Sequence, residues 1–514
     1  MNIILDRFHP SHIDYFINYF ENNGYYTKLA SLTSSPNHQI SNKIEWHIDS
    51  NLMKADFKEK LAFSLDADLL KKLSTYEGIF VLTLSRFSIF PGFWSAREMS
   101  EHYYLIANFW YSKIKSYEIQ GAISFTAPHD PASFSLYIMC KILRIPYVFI
   151  DPVRLANNIK TISCSYSQRN LLLRKGSNFS PAWAEEIVSR YINNISSDFD
   201  SGQHESLYKS SHQNNSLPIS SLFAKLKPKI RKVLASKNPL GFVFKRLFPH
   251  TPSFFKVSRA SFTGSHFSTQ SRFRWSFIRF IVIIRIFLFK KSYLQRVKTD
   301  KEFFMSKKKY IYFPLPLEPE GSNLPGALEN RSIRNALHRI LDVIPSDCFL
   351  VIKANPLQFK ISGPIFSTYP AWHSLDYYST ISVDKRVIFA SQYQNSGELI
   401  DNSIGVVCIN GTAAIEAPCR GKHSIIFSPM WFDSTPGVHL CRTKADIQEA
   451  IRLMQLYDVP TISARDFFMN ERVIFDRGVF KADDLDPAVL EDAALCILNA
   501  LEDFNELDDS KWDL

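Results

Sequence analysis

Asn410-Gly411-Thr412-Ala413, with Glu416 one turn further on, combine groups suited to holding a phosphate and a sugar. Gly411 lets the main chain approach a ligand closely, and the amides from Gly411 to Ala414 lie where a helix begins, an end that favours an anion. A pyrophosphate would fit there. Glu416 can accept hydrogen bonds from vicinal sugar hydroxyls or cap the same helix end. The same residues also suit an ordinary strand-to-helix turn, with Thr412 as N-cap and Glu416 as a first-turn acid. A second polar loop, Ala127-Pro128-His129-Asp130-Pro131, offers an imidazole and a carboxylate for proton transfer or substrate contact, although a His in such a loop can equally be a structural hydrogen-bonding residue.

Both loops need strands and helices to hold them. Val406 to Ile409 is a short apolar run before the first loop, good helix formers follow it, Gly421 closes that helix, and Ser424 to Ser428 reads as the next strand. Around the second loop the same order recurs: strand 121–126, helix 132–143, strand 146–150. These are βαβ units, in which ligands bind at the carboxyl edge of the strands. Further strands are expected at 2–6, 43–48, 78–84, 310–315, 349–353 and 386–390. Helices are expected from Ser11 with Ile13, Phe16, Ile17 and Phe20 inward, at 96–116, 332–344, 396–402 and 443–455, and finally at 487–504. The fold class is therefore α/β, with two Rossmann-type halves. Residues 1–196 form the first domain, 197–305 an insert, and 306–514 the second domain.

The insert is set apart by charge. The chain carries a formal +10 over 514 residues, yet residues 206–299 hold 19 Lys and Arg and not one Asp or Glu, so the remaining 41 basic residues are outnumbered by 50 acidic ones. Basic and apolar residues alternate within the insert. Trp275 to Phe289 is strongly apolar but has only about 15 residues and contains Arg279 and Arg285, short of the roughly 20 apolar residues of a spanning helix. It suits the interface of an anionic membrane. RNA is a competing partner for such a segment; no nucleic-acid module is recognisable, and DNA is not expected. A solvated helical packing element is the plainest reading.

Seven cysteines occur singly with no CxxC pair, which suits a reducing compartment, and Met1 to Arg7 lacks a basic segment followed by an apolar core. A cytoplasmic location, peripheral on the inner face of the plasma membrane, is expected.

Taken in order, several stretches resemble the bacterial capsule and surface polysaccharide biosynthesis proteins, a group that includes relatives of the capsular Kdo transferases. They are Tyr310 to Leu315 with Glu318-Pro319-Glu320; Val351-Ile352-Lys353-Ala354-Asn355-Pro356; Ser396 to Asn402; Asn410 to Ala417 with Arg420-Gly421-Lys422; and Trp431 to Val438. The match covers residues 306–442. Asn355 stands where the family has His, and Ala354 where it has an acid. The resemblance implies a GT-B-like architecture of two Rossmann-type domains facing a cleft, with a nucleotide sugar held mainly by the second, and no obligatory metal or other cofactor. It implies glycosyl transfer to a glycan or glycolipid acceptor, with other polysaccharide-assembly proteins as further partners. Lys353 would then be a mobile cation at the donor phosphate, joined by Asn355, Asn410, Gly411, Thr412, Ala413 and Glu416. Glu320, Asp130 and His129 are the candidates for acceptor base or nucleophile. A noncatalytic assembly component that kept the fold is the alternative, for which Asn355 is the hint.

Overall fold

In the computed structural model the described residues are 1–10, 12–35, 44–53, 55, 61–87, 95–153, 159–163, 285, 287–298, 300–318, 326–359, 373–430, 432–433, 435–459, 474–475, 491, 494–495 and 497–502. Expected features at Ser11, Glu320 and Trp431, and nearly all of the basic insert before residue 285, lie outside them.

The first unit is built on β1 (Asn2–Phe8), α1 (Ile13–Asn22), β2 (Tyr26–Leu32), β3 (Glu45–Ile48), the one-turn α2 (Asp49–Leu52), α3 (Ala67–Phe87), α4 (Ala96–Ser116), β4 (Gly121–Ser124), α5 (Pro131–Leu143), β5 (Tyr147–Val153) and β6 (Ile159–Ser163). Its parallel strands run β5-β4-β1-β2-β3, with β6 added antiparallel at the β5 edge. β1 is apolar at consecutive positions because both faces of the sheet are covered. Ile3 and Leu5 pack on one side with Phe16 and Phe20 of α1, while Ile4 packs on the other with Phe80, Tyr103 and Trp110.

The strand expected at 78–84 is instead the second half of α3. Its buried residues include Leu69, Leu73, Phe80 and Leu84 at helical spacing, with Ile79 and Thr83 beside them, and the run Ile79-Phe80-Val81-Leu82 is simply the stretch where that stripe is widest. A short apolar run does not by itself separate a strand from a buried helix. β2, by contrast, is a strand that sequence pattern did not single out.

The second unit opens earlier than composition suggested. A helix over residues 287–298 (α6) buries Phe289 and Tyr293 completely among Ile311, Ile352, Phe359 and Phe389, so one face of the end of the apolar run is core. There follow β7 (Tyr310–Pro314), α7 (Ile333–Leu341), β8 (Phe349–Lys353), α8 (Tyr377–Ile381), β9 (Val387–Phe389), α9 (Ser396–Asp401), β10 (Gly405–Cys408), α10 (Ala413–Cys419), β11 (His423–Ile426), β12 (Val438–Leu440) and α11 (Lys444–Leu456). All six strands are parallel, in the order β12-β11-β10-β7-β8-β9. Thr443 caps α11 in a reciprocal pair with Asp446.

The chain then returns to the first unit. β13 (Ile474–Phe475) pairs antiparallel with β6, and described residues between 491 and 502 form a helix (α12) whose Ala494, Ile497, Leu498 and Leu501 join the core around β1. The Tyr25 hydroxyl donates to Glu502 at 2.9 Å, and Leu501 sits so close to Gly121 that a Cβ there would lie 3.3 Å from it. The final helix expected from sequence thus completes the first unit rather than the second. Among the described residues no helix is long and apolar enough to cross a membrane. Leu501→Ala should cost about 2–5 kcal/mol in the unfolding transition of the first unit. Denaturant titration followed by tryptophan fluorescence will measure it; an unchanged transition would mean that α12 adds nothing to that core.

Candidate functional site

The carboxyl ends of the second unit's strands gather most of the residues singled out from sequence. The order of the six strands reverses between β7 and β10, and an open parallel sheet leaves a crevice at such a point. After β10 the chain turns through Asn410 to Thr412 into α10. Gly411, Thr412 and Ala413 are partly exposed, whereas Asn410 and Glu416 are each only 4% exposed.

Not all of the turn's amides face outward. Those of Gly411 and Ala414 are directed at the Cys408 thiol, where they oppose the strong upward push of burial on its pKa, and the Ala414 amide also donates to the Gly411 carbonyl at 3.1 Å. Thr412 is the N-cap without a side-chain cap bond. The backbone left to meet an anion is accordingly that of Thr412 and Ala413, both partly exposed.

Lys353 ends β8 and is 6% exposed. Its ammonium donates to the Gln394 carbonyl at 2.5 Å and to Ser396 Oγ at 2.8 Å, so it is a fixed charge, not the mobile one expected. Ser396 also accepts from the Tyr312 hydroxyl at 3.5 Å. Burial, the Cys408 thiol and the Glu416 carboxylate keep Tyr312 well above the usual phenol range. Lys353, Ser396 and Tyr312 are thus joined by hydrogen bonds, with the buried Glu416 close enough to act on Tyr312 electrostatically. Asn355 is partly exposed two residues beyond Lys353. Its neighbour Ala354 donates its amide to the Tyr293 hydroxyl at 3.0 Å, and that hydroxyl donates to the Ala390 carbonyl at 2.5 Å.

Two further contacts at this edge had no sequence signal. Glu318 and Gln358 exchange backbone and side-chain hydrogen bonds at 3.0 and 2.8 Å, tying the loop after β7 to the turn after β8. Glu318 also pairs with His373 at 2.9 Å, and the imidazole stacks on Tyr377 with centroids 3.8 Å apart.

The first unit has its own reversal point, between β1 and β4. There Asp130 is the N-cap of α5, accepting from the Ala132 and Ser133 amides at 3.0 Å each, and its other oxygen pairs with the Arg7 guanidinium. Both oxygens are thus committed. Burial works to raise its pKa, but Arg7 and His129 bring it below the usual value. His129 donates through Nδ1 to the Ala127 carbonyl at 2.6 Å.

Sequence reading missed the rest of this cluster. Asp6 lies across from Ser124 in the β1–β4 ladder and accepts from the Ser124 and Tyr147 hydroxyls at 2.9 and 3.3 Å. Asp49, just beyond β3, lies 3.1 Å from Arg7 Nε and accepts from Ser31. Burial pushes Asp6 up to about 6, helped by Asp130, and Asp49 up to about 8, helped by Asp130 and Asp6. These residues are scattered singly along the sequence, and only the strand order brings them together.

No family model matches the chain, and no curated protein matches it. Solved structures align along nearly its whole length. UDP-GlcNAc 2-epimerase from Neisseria meningitidis bound to UDP-GlcNAc is 12% identical over 98% of this chain and 100% of that one, with a TM-score of 0.21. Anabaena Alr3699/HepE in complex with UDP and glucose is 10% identical over 97% and 99%, with a TM-score of 0.24. The wall teichoic acid polymerase TagF is 10% identical over 98% and 90%, with a TM-score of 0.21. Likeness this low assigns neither activity nor ligand.

A Cβ added at Gly411 would meet Cys408 Sγ at 3.5 Å, an ordinary contact. Gly411→Ala should therefore fold with stability unchanged or raised by up to about 1 kcal/mol. A clear loss of thermal stability would show that the glycine serves the fold and not an approaching ligand.

Proposed function

We propose that this protein is a glycosyltransferase that moves a sugar from a nucleotide-sugar donor to a surface polysaccharide or lipid-linked acceptor at the cytoplasmic membrane face. The observation that carries the reading is the carboxyl edge of the second sheet, where the partly exposed turn at Thr412 and Ala413 follows β10 and the buried ammonium of Lys353 ends β8. Glycosyl transfer builds negative charge on the departing phosphate. Preorganised amides and a fixed cation stabilise such charge without reorganising at the moment of reaction. The ordered motifs from Tyr310 to Val438 favour a sugar nucleotide over other anions.

Glu416 and Asn410 would hold the donor's hydroxyls from the walls of the turn, and Asn355 would donate a neutral hydrogen bond at the phosphates. The acceptor's proton needs a base. Of the sequence candidates, Glu320 follows β7, His129 is partly exposed, and the Asp130 side chain is sealed at 2% exposed. No metal is required by this scheme.

The alternative is an assembly component that binds the nucleotide without turnover. The tethering of Lys353 and Asn355 in place of His are what favour it. Thermal-shift and hydrolysis screens with UDP-, GDP- and CMP-sugars separate the two. One nucleotide class should raise the melting temperature and be turned over, and Lys353→Ala and Glu416→Ala should each weaken binding at least about tenfold, near 1.4 kcal/mol. Binding without turnover on any acceptor favours the alternative, and undiminished binding by both variants refutes the pocket.

The membrane partner rests on the acid-free segment and on the outer face of α6, where Phe287, Leu288 and Leu294 are exposed beside Lys291 and Lys298. Deleting residues 206–284 leaves Phe289 and Tyr293 in the core. That deletion should abolish sedimentation with phosphatidylserine vesicles at about 0.1 M salt while preserving both sheets; retained vesicle binding would remove the insert from the membrane role.

A further inference from the structure

The glycosyl-transfer reading lacks a base on the acceptor side, and the cluster at the reversal point of the first sheet has the features of one. Arg7 adopts a left-handed backbone, φ 60°, unusual for a non-glycine residue, at a register shift between Leu5 and Phe8 in the β1–β2 ladder. A bulge of this kind re-aims a side chain, and such strain collects at functional sites. Here it places the guanidinium among three carboxylates. Burial together with the neighbouring carboxylates raises the proton affinity of Asp6 and Asp49 against the opposing pull of Arg7.

Two of the acids are sealed. The Asp130 side chain is 2% exposed and Asp6 is 1% exposed, while the Asp49 and Arg7 side chains are 10% and 22% exposed. Asp6 Oδ1 is buried with no hydrogen-bond partner, with the Ser133 hydroxyl near enough to favour its charge without closing a bond. A fully buried oxygen left unpaired is costly and marks a place where a further polar group belongs. The titratable groups facing the cluster are Arg7 and Asp6 from β1, His129 and Asp130 from the loop after β4, Cys140 from α5 and Tyr147 from β5.

We propose that Asp49, steadied by Arg7, is the base that accepts the proton of a hydroxyl-bearing glycan acceptor, which docks at the carboxyl edge of β1 and β3. This rests on the glycosyl-transfer reading. In the step, the acceptor O–H bond breaks and its proton passes to the Asp49 carboxylate. The acceptor oxygen bonds to the anomeric carbon, and the bond from that carbon to the donor phosphate breaks, its electron pair leaving with the nucleotide. Asp130 and Asp6 act as positioning groups that hold Arg7 and keep the proton affinity of Asp49 high. A base is most effective when its proton affinity lies near the working pH.

The test uses the full chain and its Asp49→Asn, Asp49→Glu and Glu320→Gln variants with UDP-, GDP- and CMP-sugars. Nucleotide release should rise with pH in the wild type as Asp49 ionises. Asp49→Asn should lower it about 100-fold or more, remove that pH dependence and leave nucleotide affinity unchanged, with partial return in Asp49→Glu. Turnover retained by Asp49→Asn with the wild-type pH profile, or lost only in Glu320→Gln, overturns the proposal. If the wild type releases no nucleotide from any donor, the transfer reading itself fails, and the carboxyl-13C signal of Asp49, identified by its loss in Asp49→Asn, decides the local claim. A midpoint above pH 6 upholds a held proton, and one below pH 5 overturns it.

Discussion

A parallel sheet covered on both faces leaves its polar chemistry nowhere to go but the strand ends. The backbone of β1 or β10 is consumed by ladders on either side, and its side chains alternate between two apolar layers, so neither face admits an unpaired charge. Everything that distinguishes this chain chemically follows from that constraint. Lys353, Asn355, Asn410 to Ala413 and Glu318 occupy the carboxyl edge of one sheet, and Asp6, Arg7, Asp49 and Asp130 that of the other.

The two edges carry opposite electrostatic characters. In the second unit the Lys353 ammonium and the turn after β10 sit at the strand ends, while the carboxylates described there are buried, Glu318 paired with His373 and Glu416 beside Tyr312. In the first unit three carboxylates outnumber one guanidinium. The transfer proposed above would draw on this division, with a departing phosphate at one edge and an entering hydroxyl at the other.

Sequence pattern was informative wherever a feature is local. The turn from Val406 to Glu416, the capping Thr443 and the parallel strands at 310–315 and 349–353 are each specified by neighbours a few residues apart, and each stands in the structure. It failed for Gly78 to Leu84, where four apolar residues in a row satisfy both a strand and the wide stripe of a helix. It could not reach the Arg7 cluster, whose members are joined only by the order β4-β1-β2-β3. Nor could it tell that Lys353 is tied down: its partners Gln394 and Ser396 lie some forty residues away, and nothing in a lysine's surroundings along the chain announces a tether. Phe289 read as membrane-facing at the end of its apolar run because composition does not distinguish an apolar face turned to lipid from one turned to a sheet.

The return of α12 to the first core bears on how the molecule is made. Residues from α6 to α11 contain all that the second unit needs, and they leave the ribosome as one unbroken stretch. The first unit, begun with β1, still lacks Ile497, Leu498 and Leu501 when that stretch is complete. During synthesis the half that starts first is therefore the half that closes last. Its apolar layer beside Ile3, Leu5 and Ile123 has only α1 to cover it while some three hundred further residues are added, a long interval in which chaperones have a surface to hold.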